Sequence, residues 1–388
     1  MSYNLLRSKT LLPTESYSGP GSLIILGDRI INDGNKRLFI VSSKTVSRTG
    51  MLSSFTRKLE SKGIVCTVFT RTKPDPDIEC IESGLAMYNG NRCDSVLGVG
   101  GGSVIDCAKV IAMRAGNPNK SIRKISNYLT SIKKPVNLYA APTTAGTGSE
   151  ITMFSVVKDS SVQKKFSIVR SSSVPLAIAL DPDLCVSLPP DVTASSGMDA
   201  LTHAIEAYIS TFSDKFYRET QRAPGACRMI FENLYASYIM PENKKIRLNM
   251  LKASYYAGIS FRHTATGYIH SMSHRLTELY GIPHGYANAV LLPHFLEAYM
   301  PEVQRDLSVL SFHCGFTENK LYEKQNADIF IREIRKLNKQ LKIQSKIPQL
   351  KRKDFEIIIK RTQAEAKVQG CPKILTDQEL REILISIS

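Results

Sequence analysis

The sequence predicts two domains, a mostly parallel α/β domain followed by an all-helical domain. The chain has 388 residues, more than one hydrophobic core usually organises. Strand-like and helix-like segments alternate from residue 37 onwards, which is typical of βαβ units. From about residue 190 nearly every segment has helical periodicity, and no convincing strand pair remains. We therefore expect domains at 1–188 and 189–388, with the proline pair 189–190 at the boundary.

The elements of the first domain follow from its hydrophobic periodicity. RLFIVSS is typical of a buried strand, VSRTGMLSSFTRKLESKG has helical spacing, and IVCTVF is a second strand. After the TKPDPD turn, IECIESGLAMYNG predicts a helix and SVLGV a third strand. Because helices connect successive strands, we expect a mostly parallel sheet with helices on both faces.

Two glycine-containing loops follow predicted strands. GGGS at 100–103 lies between SVLGV and a helix that begins VIDCAKVIA, and PTTAGTGSE at 142–150 follows the strand-like NLYAA. Free N–H groups at a helix start favour a phosphate, and strand ends are where open α/β sheets bind ligands. The presence of both loops favours a Rossmann-like nucleotide-binding site. GxGxxG is absent because residue 103 is serine, and tight packing or an exposed loop is the alternative for either segment.

Charge, cysteine usage and the first residues bear on partners and location. The formal charge is +16, but the basic residues are spread along the chain, so we expect a basic surface and no nucleic-acid partner. The eight cysteines form no CxxC pair, which is typical of a reducing compartment. No membrane span and no signal peptide are evident, so we expect a cytoplasmic protein without a membrane partner.

Histidines and one aspartate form a candidate metal constellation. Asp199 and His203 are four apart on a predicted helix, as are His270 and His274, and His284 follows soon after. Residues at i and i+4 emerge on one helix face. A carboxylate with several imidazoles suits iron or zinc, whereas magnesium and calcium prefer oxygen ligands. The spacing is not HExxH, so a zinc protease is disfavoured.

Taken together, the motifs resemble those of the iron-containing, group III alcohol dehydrogenases. GVGGGSVIDCAKVIA, PTTAGTGSE, DPDLCVSLPPDVTASSGMDALTHAIEAY and IHSMSHRLTELYGIPHGYANAVLLP occur in that family's order, and the resemblance covers nearly the whole chain. It implies a dehydroquinate synthase-like architecture, in which metal and nicotinamide meet in a cleft between the α/β and helical domains. It also implies an Fe²⁺ site, with Zn²⁺ as the alternative, and a homodimer or higher homo-oligomer.

The resemblance also assigns residues. The implied metal ligands are Asp199, His203, His270 and His284, and His274 is the implied catalytic residue, a proton relay near the substrate. The implied cofactor-binding residues lie in and around the two loops: Ser43, Gly101, Gly102, Ser103, Asp106, Thr143, Thr144, Thr147 and Lys165.

Two departures from the family pattern concern the nucleotide. Many NAD-preferring members carry an aspartate where this sequence has Ser43, followed by Lys44. Without that carboxylate a 2′-phosphate is not repelled, and a lysine can pair with it, so we expect NADP, with NAD as the alternative. Asp75 also stands where an asparagine is common.

The expected activity is hydride transfer between NAD(P) and a small primary alcohol, diol or ω-hydroxy acid, with the metal polarising the substrate oxygen. A polyol dehydrogenase or a dehydroquinate-synthase-like lyase is the alternative within the superfamily. A basic binding or assembly protein with a degenerate site is the alternative from another class.

Overall fold

A computed structural model of the chain describes residues 14–162, 164–213 and 222–388. Its residues group into two compact units. The α/β unit comprises 14–144 and 148–187, and the helical unit comprises 145–147 and 188 onwards. The division falls between residues 187 and 188, one residue before the expected position. Residues 145–147, expected in the first domain, group instead with the helical unit.

The α/β unit contains a six-stranded parallel sheet and a hairpin. The sheet order is β1-β8-β5-β4-β2-β3, and every pairing in it is parallel. The remaining two strands, β6 and β7, pair antiparallel. The strands are β1 (Glu15–Ser18), β2 (Arg37–Ser42), β3 (Val65–Phe69), β4 (Ser95–Gly100), β5 (Asn137–Pro142), β6 (Phe154–Asp159), β7 (Lys164–Val169) and β8 (Ala177–Leu180).

Helices cover both faces of the parallel sheet, as expected. Alternate residues of β2 enter different cores: Phe39 and Val41 pack on one face, and Leu38 and Ile40 on the other. A strand buried on both faces has no polar alternation, which explains the continuous apolar run of RLFIV. The helices of this unit are α1 (Ser22–Asn32), α2 (Lys44–Arg48), α3 (Met51–Ser61), α4 (Ile78–Gly90), α5 (Gly102–Gly116) and α6 (Ile122–Ser126).

Three features of the α/β unit differ from expectation or add to it. The single helix expected over VSRTGMLSSFTRKLESKG is wrong: Gly50 adopts φ 76° and separates α2 from α3. A left-handed residue cannot continue a right-handed helix, and glycine adopts that conformation without steric cost. The edge strand β1 and the β6–β7 hairpin were not expected from the sequence.

The described part of the helical unit contains no strand, as expected. Its helices are α7 (Pro190–Ile209), α8 (Arg222–Ile239), α9 (Lys244–Thr264), α10 (Tyr268–Tyr280), α11 (His284–Ala298), α12 (Gln304–His313), α13 (Glu323–Gln340), α14 (Phe355–Ala366) and α15 (Asp377–Ser386). Within the described ranges, no helix combines the length and apolarity needed to cross a bilayer.

Candidate metal and nucleotide sites

Helix α7 carries two of the expected metal ligands. Asp199 and His203 lie one helical turn apart, and both side chains are buried. Their spacing places them on one face, where Nδ1 of His203 is 4.0 Å from Oδ2 of Asp199. The helix begins at Pro190, a position where the missing proline N–H breaks no helical bond.

Helices α10 and α11 bring two further histidines to the same carboxylate. Oδ1 of Asp199 lies 3.6 Å from Nε2 of His270 and 3.6 Å from Nε2 of His284. The first turn of α11 approaches α7 closely because residue 285 is glycine, where a Cβ would lie 2.1 Å from the carbonyl oxygen of Ser195. One carboxylate oxygen therefore faces two imidazoles from different helices.

The spacing of these atoms fits a divalent transition metal. Ligands about 2.1 Å from a tetrahedral ion lie about 3.4 Å apart, close to the separations from Oδ1 of Asp199. The ligand atoms of Asp199, His203 and His270 all lie within 4.8 Å of one another. Nδ1 of His203 is buried and has no hydrogen-bond partner among the described residues. The donor set of one carboxylate and three imidazoles suits iron or zinc.

Burial and neighbouring charges shift the pKa values of all four expected ligands. Burial lowers the pKa of His203 to about 4 and holds the pKa of His284 well below its ordinary value. Burial also opposes protonation of His270, but the Glu206 and Asp199 carboxylates outweigh it and raise the pKa of His270 to about 9. Burial favours the neutral acid of Asp199, yet the imidazoles keep the pKa of Asp199 below its usual range.

Two residues that sequence reasoning missed lie against the ligands. Oε2 of Glu206 is 2.5 Å from Nδ1 of His270. Nδ2 of Asn288 donates to Oδ1 of Asp199 at 2.8 Å. Both carry a weak signal in the sequence, because Glu206 is three residues after His203 and Asn288 is four after His284, on the faces that carry the ligands.

His274 lies beside the ligand group and is held by a carboxylate from another helix. Its ring stacks on that of His284, with centroids 4.9 Å apart. Its Nδ1 is 2.7 Å from Oε1 of Glu365 on α14, and Glu365 also pairs with Arg275 at 3.1 Å. No local pattern connects residue 365 to this histidine, so the sequence did not identify Glu365.

The first expected nucleotide loop lies at the carboxyl edge of the sheet. Gly101 and Ser103 are at the start of α5, directly after β4. The N–H of Thr143, after β5, donates to the carbonyl of Gly100 at 3.0 Å. A Cβ at Gly101 would lie 3.3 Å from the side chain of Thr144. The two loops therefore meet because β4 and β5 are parallel neighbours.

Asp106, expected among the cofactor-binding residues, is engaged within the α/β unit. One oxygen accepts a hydrogen bond from the Ser149 hydroxyl, and the other accepts from the Val156 N–H at 2.9 Å. Its carboxylate therefore holds the second loop and strand β6. This geometry favours a supporting role over direct contact with a nucleotide.

Three other expected cofactor residues occupy different surroundings. Nζ of Lys165 pairs with Asp75 at 2.7 Å. Thr147 belongs to the 145–147 stretch that groups with the helical unit. Ser43 directly follows β2 and is the N-cap residue of α2. Its hydroxyl accepts a hydrogen bond from the Val46 N–H at 3.2 Å.

Comparison with known proteins agrees with the fold. Residues 13–182 match the family model for iron-containing alcohol dehydrogenase, and residues 193–388 match the model for the C-terminal part of that family. The chain belongs to the iron-containing alcohol dehydrogenase family and is an oxidoreductase of that class. The family expected from the sequence motifs is confirmed.

Individual relatives extend over nearly the whole chain. Alcohol dehydrogenase 4 of Saccharomyces cerevisiae is 33% identical over 377 residues, 96% of each chain. The NADPH-dependent butanol dehydrogenase of Clostridium saccharobutylicum is 30% identical over 388 residues, also 96% of each. A crystal structure of 1,3-propanediol oxidoreductase superposes with a TM-score of 0.91 at 30% identity, covering 97% of this chain and 98% of that one. These similarities confirm the α/β and all-helical architecture.

Proposed function

We propose that this chain is a metal-dependent, NAD(P)-linked alcohol dehydrogenase or aldehyde reductase. Its substrate is a small primary alcohol, diol or ω-hydroxy acid, and the proposed ligands are Asp199, His203, His270 and His284. The observation that carries the proposal is the oxygen of Asp199 placed 3.6 Å from two imidazole nitrogens. When bound, Fe²⁺ or Zn²⁺ supplies Lewis acidity at the substrate oxygen, and the nicotinamide donates or accepts the hydride.

In the proposal, this chain's own residues bind the nucleotide and move the proton. In the proposal, Gly101, Gly102 and Ser103 at the start of α5 bind the pyrophosphate, with Thr143 and Thr144 beside them. His274 moves the proton of the alcohol, with its Nδ1 held by Glu365 so that the ring keeps one orientation. A homodimer or higher homo-oligomer and a cytoplasmic location complete the proposal.

The direct test is oxidation of NADH and NADPH by anaerobically purified protein, with and without added Fe²⁺ or Zn²⁺. We expect metal-dependent oxidation with short aldehydes. The panel includes anionic semialdehydes because the formal charge of +16 favours anionic substrates. Net consumption of the nucleotide separates a dehydrogenase from a dehydroquinate-synthase-like lyase, and the preferred aldehyde separates an alcohol from a polyol dehydrogenase. No oxidation by metal-filled protein would favour the lyase or a binding protein.

Metal removal is expected to lower thermal stability. A ligand that binds only the folded state at a hundred times its Kd adds about 2.7 kcal/mol. For a unit of about 200 residues that corresponds to a Tm change of about 5–10 °C. We expect a chelator to lower the Tm of the metal-filled protein by this amount in differential scanning calorimetry. An equal shift in a variant that lacks Asp199 would show that the chelator acts elsewhere.

NADP is the proposed nucleotide because the end of β2 carries cations and no carboxylate. Lys44 follows Ser43 and is exposed, and Arg71 is paired opposite Ser43 through a backbone bridge. Arg71 is also exposed, with its guanidinium 5.9 Å from the centre of the Phe69 ring. Two cations beside the expected ribose position favour a 2′-phosphate.

Replacing Ser43 by aspartate is expected to reverse this preference. Aspartate caps a helix as well as serine does, so α2 is retained. Its carboxylate bonds a 2′-hydroxyl and repels a 2′-phosphate. A charged hydrogen bond of about 2–3 kcal/mol corresponds to a shift of about 10²-fold in the ratio of kcat/KM for NADPH over NADH. The control, Thr49→Asp, puts the same charge at the other end of α2, and an equal shift there would contradict the assignment.

A further inference from the structure

Glu206 is a buried carboxylate on the α7 face that also bears Asp199 and His203. It is 4% exposed. Within the ranges that the structure describes, its only ion pair is with His270, and no lysine or arginine pairs with it. A buried carboxylate is costly unless it is paired and hydrogen-bonded. The contact with His270 therefore offsets the cost of burying the Glu206 carboxylate.

Two donors converge on the two oxygens of Glu206. Oε1 accepts the N–H of Ile269 at 3.0 Å, and Oε2 lies 2.5 Å from Nδ1 of His270. The backbone bond fixes the carboxylate, so Oε2 has little freedom to leave the ring. Gly267 permits this arrangement, because a Cβ there would lie 2.8 Å from Oε1.

When the carboxylate holds the Nδ1 proton in this way, the neutral imidazole has its free lone pair on Nε2. Nε2 of His270 is the atom 3.6 Å from Oδ1 of Asp199, inside the ligand group. The opposite tautomer would place a proton on Nε2 and leave Nδ1 facing a carboxylate that has no proton to give. Carboxylate–histidine pairs of this kind orient metal ligands and raise their affinity for the metal.

We infer that Glu206 is a positioning residue of the metal site, holding His270 in the tautomer and orientation in which Nε2 binds the metal. The inference rests on the proposed function only in taking His270 as a ligand.

Glu206→Gln is the decisive variant because the amide has the same shape but only one acceptor. If its oxygen keeps the bond from Ile269, its NH₂ faces Nδ1 of His270 and favours the wrong tautomer. If the amide turns over, its NH₂ opposes the backbone N–H. When Nε2 binds the metal and Nδ1 carries the proton, either arrangement leaves one donor facing another, so we expect the Kd for Zn²⁺ to rise about 10–100-fold. Chelator-buffered titration at pH 9 limits competition by protons.

The tautomer itself is read from the metal-free protein by ¹⁵N NMR of labelled histidines, which does not depend on turnover. At a pH above the His270 pKa of about 9, where the wild-type ring is neutral, we expect Nδ1–H for His270 in the wild type and loss of that state in Glu206→Gln. Glu206→Asp keeps the charge but shortens the side chain by one methylene group, so it should retain the tautomer with a smaller loss of affinity. Glu232→Gln on the exposed side of α8 is the matched control and should change neither quantity.

The outcomes separate the two proposals. A Glu206→Gln protein with wild-type Zn²⁺ affinity and an unchanged His270 tautomer would overturn the positioning role and leave the proposed function intact. Wild-type protein that binds Zn²⁺ with the expected tautomer but reduces no aldehyde would overturn the proposed function alone. If Glu206→Gln does not fold, Glu206→Asp decides: wild-type affinity together with disordered His270 tautomers would overturn the inference.

Discussion

An Asp199→Ala protein is expected to lose its metal and its turnover together, with kcat falling at least about 10³-fold. Oδ1 of Asp199 is 3.6 Å from both His270 Nε2 and His284 Nε2, so one substitution removes the shared oxygen and the only carboxylate of the proposed ligand set. Loss of Lewis acidity worth about 4 kcal/mol in the transition state corresponds to this factor.

The measurement is metal content by mass spectrometry together with kcat for the best aldehyde. Asp191→Ala is the matched control, since Asp191 lies exposed in the first turn of the same helix. It should keep both metal and turnover. Full metal occupancy and wild-type kcat in Asp199→Ala would sink the ligand assignment. Retained metal with lost turnover would limit Asp199 to the chemical step.

A Lys109→Met protein is expected to lose about 3–5 kcal/mol of unfolding free energy. Lys109 is fully buried in α5, and its Nζ donates to the carbonyls of Thr152 and Phe154, each at 2.8 Å. The negative charges of Asp106 and Glu150, which belong to the same unit, favour the protonated form of Lys109. Methionine has a similar length but no charge. Removing one partner of a buried ionic group leaves uncompensated charge, which accounts for the size of the loss.

The loss from Lys109→Met should grow as pH rises from 6 to 8. Burial raises the pKa of Glu150 to about 7 in the folded protein, well above its ordinary value, despite the opposing effect of Lys109. The stability that Glu150 contributes is therefore present in acid and lost as pH rises through 7. Without the cation this rise in pKa is larger, so the variant continues to lose stability above pH 7, where this loss in the wild type is complete.

Denaturant unfolding of both proteins at pH 6 and at pH 8 measures this difference. Lys134→Met is the control, because Lys134 is exposed in the same unit, and a surface change of this kind alters stability by less than about 0.5 kcal/mol. A Lys109→Met protein as stable as the wild type would mean that the buried ammonium is not the counter-ion of Asp106 and Glu150. A loss that did not change with pH would exclude Glu150 from the group.

Local sequence periodicity predicted several elements of the fold and part of the candidate site. The βαβ alternation predicted the parallel sheet, because strands buried on both faces appear as continuous apolar runs such as that of β2. The i, i+4 spacing of Asp199 and His203 predicted a shared helix face, since that geometry depends on the helix alone. The glycine turn at 100–103 predicted the start of α5, because a strand-to-helix turn is also a local feature of the chain.

Contacts between distant segments depended on tertiary structure. Strand β1 pairs with β8, far along the chain, and such pairing has no local periodicity to reveal it. The carboxylate that holds His274 comes from α14, and the acceptor for His270 comes from α7. By itself the sequence determined that Asp199 and His203 share one helix face, and it determined the family that the motifs define. Only the packing of separate helices decided which carboxylate meets which imidazole, because those distances depend on how the helices cross.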